Sequence, residues 1–167
     1  MDAPVSTLGL EEFLQRDHQR LDDLLRAAAG ETVDVAPYEA FRAGLLRHIG
    51  VEEKILVPFT RRKGSDAALS IARQLKLDHA ALVALLVPTP SPAIVERIRS
   101  LLALHNPLEE GDGGFYRLCA DLAGPDEEEI LRRAQAAPEV PLAAHYDGPR
   151  AFANIDRLLR AAGRLSD

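Results

Sequence analysis

Four stretches of this chain each carry an apolar stripe with residues spaced by three and four, and every stripe contains one histidine. The stripes are Leu14, His18, Leu21 and Leu25; then Phe41, Leu45, His48, Glu52, Ile55 and Phe59; then Ile71, Leu75, His79, Leu82 and Leu86; then Ile94, Ile98, Leu101, His105 and Glu109. A period near 3.6 is the signature of a helix with one face turned to a core. Four such faces, each interrupted by an imidazole, predict helices that enclose one shared polar layer. Two of the stripes add a glutamate one turn after the histidine, in "HIGVEE" and "HNPLEE".

Caps and breakers set the helix limits. Ser6 or Thr7 can cap the first segment, which stops at Gly30. Pro37 opens the second, which ends in Arg61, Arg62 and Lys63 before Gly64, where cations complement the helix dipole. Ser65 or Asp66 caps the third, which must stop near Pro88; Ser91 and Pro92 open the fourth, which runs to the glycines of "EEGDGG". Each segment is roughly 30 Å long at 1.5 Å per residue, and short connections favour antiparallel neighbours. The expected fold is all-α: an up-down antiparallel four-helix bundle over residues 1–122, with a C-terminal helical tail over 123–167 packed on it. In that tail Asp126 caps "DEEEILRRAQ", "PEVPLAAHYDGP" reads as a loop, and "RAFANIDRLLRAAG" reads as a last amphipathic helix.

With 167 residues, one core of ordinary size is expected. A formal charge of −6 offers no basic surface for nucleic acid or anionic lipid. The N-terminal stretch has neither a basic region nor an apolar run, and no later stretch reaches the ~18 apolar residues of a membrane span, so a soluble cytoplasmic protein is expected. Cys119 is the single cysteine, which rules out an internal disulfide and a thiolate-rich metal site.

The two halves repeat one another. "DHQRLDDLL" from Asp17 and "DHAALVALL" from Asp78 share one pattern, and a His-x-x-x-Glu-Glu follows each. Two helical hairpins related by an approximate twofold axis would bring four imidazoles and two carboxylates to one level. An unpaired buried carboxylate costs several kcal/mol, so such a layer needs a reason. Divalent metal supplies it, because neutral imidazoles and carboxylates are ligands for borderline ions and an i,i+4 pair points at one spot. Four nitrogens and two carboxylates suit two ions better than one.

His18, His48-x-x-x-Glu52, His79 and His105-x-x-x-Glu109, in this order on four helices, resemble the hemerythrin-like domains of the HHE cation-binding type over about residues 8–120. The resemblance implies two iron ions bridged by Glu52 and Glu109 and by an oxo or hydroxo group. It implies that His18 and His48 hold one ion and that His79 and His105 hold the other. It also implies a small diatomic or peroxide ligand: O₂, peroxide or NO. Zinc would be accepted readily by the same residues in recombinant material.

Oxygen-carrying members of that family place a second histidine one turn from the third, where this chain has Leu75 and Val83. The ion held by His79 and His105 therefore keeps an open position or recruits Tyr116, His145, Glu53 or Glu110. Pro107 should bend the fourth helix beside its ligands. Asp17 and Asp78, adjacent to histidines and so about 100° away around the helix, read as surface charges. Cys119 reads as a small buried apolar group, and Glu127–Glu129 as a solvated first turn. Storage, sensing or protection, cluster repair or peroxide and NO turnover, and a metal-dependent interaction module all remain open at this level. The cysteine-bearing N-terminal domain of the cluster-repair relatives is not found in this sequence.

Overall fold

The computed structural model describes residues 8–166, and these contain helices and no strand. In chain order they are α1 (Leu10–Ala28), α2 (Val35–Val51), α3 (Val57–Arg62), α4 (Asp66–Leu85), α5 (Pro92–Glu110), α6 (Phe115–Ala123), α7 (Glu127–Gln135) and α8 (Pro149–Ala161). No helix among the described residues is long and apolar enough to cross a membrane. α1 packs on α2, α4 on α5 and α8, and α6 on α1, α4 and α5.

The core is split in two by the polar layer. Leu21, Leu25, Phe41, Leu45, Leu82, Leu85, Ile94, Ile98 and Leu101 form one apolar cluster. Leu10, Leu14, Ile55, Leu56, Phe59, Leu75, Phe115, Tyr116 and Cys119 form the other. The apolar stripe residues of α1, of the α2–α3 rod and of α4 therefore lie on the two sides of their histidine, while those of α5 (Ile94, Ile98 and Leu101) all belong to the first cluster.

α2 and α3 are one rod with a wide turn in it. Glu52–Leu56 is π-helical, and the Val57 N–H bonds back five residues to the Glu52 carbonyl. The cause lies one residue on: Pro58 has no N–H, and in an α-helix its ring would strike the Lys54 carbonyl. Widening the preceding turn removes that clash. The π-turn begins at Glu52, so this distortion sits on the polar layer.

The caps expected at Ser6 or Thr7 lie outside the described residues. α1 begins at Leu10, whose N–H donates to the Glu127 carboxylate at 2.9 Å. Glu127 is thus not only a solvated first-turn acid: it occupies the N-terminus of a helix 117 positions away, where a negative charge also meets the positive end of the dipole.

Pro107 does not end α5, which continues to Glu110. Both Pro107 and Ala103, whose carbonyl loses its donor, are exposed, so water can take the vacant place. The glycines then turn the chain sharply. Gly113 has φ +69°, and a Cβ on Gly114 would lie 2.6 Å from the Glu109 carbonyl oxygen and 2.7 Å from that of Gly111. This turn lets α6 start at Phe115 and fold back against the layer. Gly114→Ala should destabilise the protein by about 2 kcal/mol, read from urea unfolding, because backbone atoms must move.

The tail is tied down along its length. Arg47 donates to the carbonyls of Ala137 and Gln135, Arg42 to that of Ala143, and the Tyr146 N–H to that of Val87. Ile155 and Leu159 of α8 enter the first apolar cluster.

Candidate metal centre

α1, α2, α4 and α5 each deliver one histidine, and each Nδ1 meets a carboxylate from a different helix. His18 pairs with Glu110 at 2.6 Å, His48 with Asp17 at 2.8 Å, His79 with Glu53 at 3.1 Å and His105 with Asp78 at 3.2 Å. The pattern obeys the internal repeat: the acid before each first histidine serves the second, and the acid after each second-helix glutamate serves the opposite first. Asp17 and Asp78 are therefore not simple surface charges. An acid adjacent in sequence points away from its own neighbour, and the same 100° brings it onto the next helix's imidazole. Such partners fix the ring orientation and tautomer, leaving Nε2 to face inward.

Inside the layer, two sets of groups converge. His18, His48, Glu52 and Glu109 form one, and Glu52, His79, His105 and Glu109 form the other, with ligand atoms in each set within 4.8 Å of one another. Both carboxylates belong to both sets. His18 Nε2 lies 3.0 Å from Glu109 Oε2, His79 Nε2 lies 3.0 Å from Glu52 Oε2, and His105 Nε2 lies 2.8 Å from Glu109 Oε1.

The donor set fits cations. Glu52 Oε2, His79 Nε2 and Glu109 Oε1 are buried and make no hydrogen bond, although the first two lie within ion-pair distance of one another and Glu109 Oε1 lies within ion-pair distance of His105 Nε2. Close but misaligned N and O atoms are what groups aimed at a common third point produce, whereas groups aimed at one another would align. The buried His/Glu cluster can hold metal, and without it the same residues are held together as ion pairs.

In that ion-paired state the charges are displaced from their usual range. Burial alone would lower the histidines, but Glu52 and Asp17 hold His48 up at about 10. Against the same desolvation, Glu109, Glu52 and Glu53 hold His79 at about 11, and Asp78 with Glu109 holds His105 at about 9. His18 is also raised, by Glu109 and Glu110 against burial. Burial raises Asp17 and Asp78, yet their partners, His48 for one and His105 with Arg164 for the other, bring both to about 2. Imidazolium protons and divalent ions both bring positive charge to the layer, so either can balance its surrounding carboxylates.

Of the residues considered for the open position beside His79 and His105, none is placed there. The Tyr116 hydroxyl lies instead in the other set, 2.8 Å from both His18 Nε2 and His48 Nε2, 2.6 Å from Glu52 Oε1 and 3.0 Å from Glu109 Oε2. The glycine turn is the reason, since it returns α6 along α1. Burial and the two glutamate charges push the phenol well above its usual range, so without metal it is a neutral donor. Glu53 and Glu110 sit on Nδ1 atoms, behind the imidazoles. His145 is drawn away from the layer altogether: its Nε2 pairs with Glu39 and its Nδ1 faces the Val87 carbonyl. Cys119 is fully buried in the second apolar cluster.

One partner could not be read from helical periodicity. Arg164, from beyond α8, donates to both oxygens of Asp78 at 2.9 Å, while Gln74 donates to the same carboxylate at 3.0 Å. Asp78 is fully buried, so its charge depends on these donors. Arg164→Ala should cost about 2 kcal/mol, less than a fully buried pair because the guanidinium is partly solvated, and should weaken metal at the His105 position about tenfold. Thermal melting and chelator competition measure the two effects. Comparison with protein-family models, curated proteins and solved structures finds no match for this chain, so the geometry itself carries the functional reading.

Proposed function

We propose that the chain is an up-down antiparallel four-helix bundle of the hemerythrin-like, HHE cation-binding type, a soluble cytoplasmic protein that holds two iron ions. The alternation of the helices between the two apolar clusters supports the topology: α1 and α4 run from the second to the first, α2 from the first to the second. The observation that carries the functional reading is that the two candidate sets share Glu52 and Glu109 and no other residue. His18 and His48 would hold one ion, His79 and His105 the other, and the glutamates would bridge. When bound, such a pair supplies reversible binding or redox handling of O₂, peroxide or NO.

The chain's own residues set the conditions for that chemistry. Glu110, Asp17, Glu53 and Asp78 would accept hydrogen bonds from the Nδ1–H groups and so leave each Nε2 lone pair free to face a metal. The apolar clusters flank the layer on either side, and Tyr116 keeps a proton donor within reach of one set. Metal analysis after growth in iron-supplemented medium tests the reading: two irons per chain are expected, with a new visible band on adding azide to the oxidised protein. A well-folded preparation without transition metal under any growth condition would overturn it. Tyr116→Phe should lower affinity at the His18/His48 position about tenfold and leave the other position unchanged, measured by chelator competition.

A further inference from the structure

A cavity of about 360 Å³ opens onto the layer between α1, α2 and α5. Its floor is His18, His48, Glu52 and His105, and its walls include Leu21, Leu25, Phe41, Leu45, Ile49 and Leu102. A diatomic molecule needs only a small part of this space, whereas the volume lies within the ~300–1,000 Å³ range of small-molecule sites. Three polar groups line it besides the floor. Asp22 is engaged by Arg26 at 2.7 Å. Arg99 has no ion-pair partner among the described residues, and the side-chain oxygen of Asn106 is buried without a hydrogen bond. The lining therefore offers an apolar slot and one available positive charge, which together favour an anion with an apolar body, while the Asn106 oxygen is left to accept from a donor such as water.

From this we infer that the cavity binds a small organic acid, with its carboxylate at Arg99 and its apolar chain directed toward the histidine layer. Six residues of α5 separate Arg99 from His105, about 9 Å at 1.5 Å per residue, a span that a chain of roughly six carbons covers. Arg99, Leu102, Ala103 and Asn106 recur at helical spacing along the same lining, so one face of α5 presents the charge, the apolar wall and the amide in series. The inference rests on the di-metal reading only for what happens at the floor of the cavity; binding itself needs no metal.

The test is titration of the full chain with hexanoate and with 1-hexanol, before and after metal loading, followed through the backbone amide resonances of α1 and α5. Hexanoate should bind about fivefold more tightly than the alcohol, the worth of one partly exposed charge pair. Arg99→Gln should erase that preference and leave the alcohol's affinity unchanged. Ala103→Trp, which adds an indole at an exposed wall position, should weaken both ligands by at least about tenfold. Equal affinity for acid and alcohol in the unsubstituted protein, or binding indifferent to Ala103→Trp, overturns the inference. Metal content measured on the same samples separates the two readings: hexanoate bound selectively by a chain that takes no metal supports the cavity and defeats the di-iron proposal, and two metals with no hexanoate binding does the reverse.

Discussion

Glu109→Ala is expected to empty both metal positions, whereas His18→Ala empties one. Glu109 contributes to both ligand sets and lies within 3.0 Å of His18 Nε2 and 2.8 Å of His105 Nε2, on opposite sides of the layer. In the proposed two-metal centre, removing it would take an anionic ligand from each ion and leave the imidazoles of both sets with one carboxylate where two had stood. Bound metal should fall from about two ions per chain to below about 0.3, a loss exceeding the 10–100-fold typical of outer partners. His18 belongs to one set only, so its loss should leave about one ion per chain, held by His79, His105 and the glutamates. Glu109→Gln, which keeps the side-chain volume, separates loss of ligation from loss of fold, with helicity followed by circular dichroism. One ion retained in Glu109→Ala would mean that the carboxylate does not bridge.

Metal-free protein should be sharply sensitive to alkali. His48, His79 and His105 are held at about 10, 11 and 9, each above the ordinary 6.5 of an unfolded histidine. A group whose folded pKa is raised stabilises fully below the unfolded value, so the contribution is complete below pH 6.5 and is lost as pH rises through 9 to 11. The carboxylates behave in the opposite sense. Asp17 and Asp78, at about 2 in the folded chain, contribute above pH 3.8, and that contribution disappears as pH falls through 2. A metal-free sample should therefore lose at least about 10 °C in Tm between pH 7 and pH 11. The metal-loaded sample, whose imidazoles are already neutral, should change far less over the same interval. Parallel melting curves with and without chelator settle the matter, and identical alkaline losses would show that the imidazoles are not the groups responsible.

Periodicity made the inner layer legible because each of its histidines and glutamates continues an apolar stripe at three- and four-residue spacing. Tyr116 and the π-turn were harder for different reasons. The phenol reaches the layer only because Gly113 and Gly114 permit a reversal, and hydropathy does not encode where a reversed helix lands. Pro58 does signal trouble inside the second helix, and read against the expected Arg61 end it would have marked the wide turn at Glu52. Asp17 and Asp78 read as surface charges from their own helix alone, because pairing across helices depends on relative rotation, which a single stripe does not supply. Arg164 belongs to a contact 86 residues apart and carries no periodic trace.

The twofold correspondence between Asp17 and Asp78 breaks at their arginines. Asp17 is served by Arg20, one turn along the same helix and half in solvent, while Asp78 is gripped by a residue almost at the far end of the chain. Equivalent pairs would exchange their cargo at equal rates. Here one seat is fastened by a strap and the other by a loose latch, so filling and emptying should proceed in a fixed order, with the occupant beside His105 last to leave.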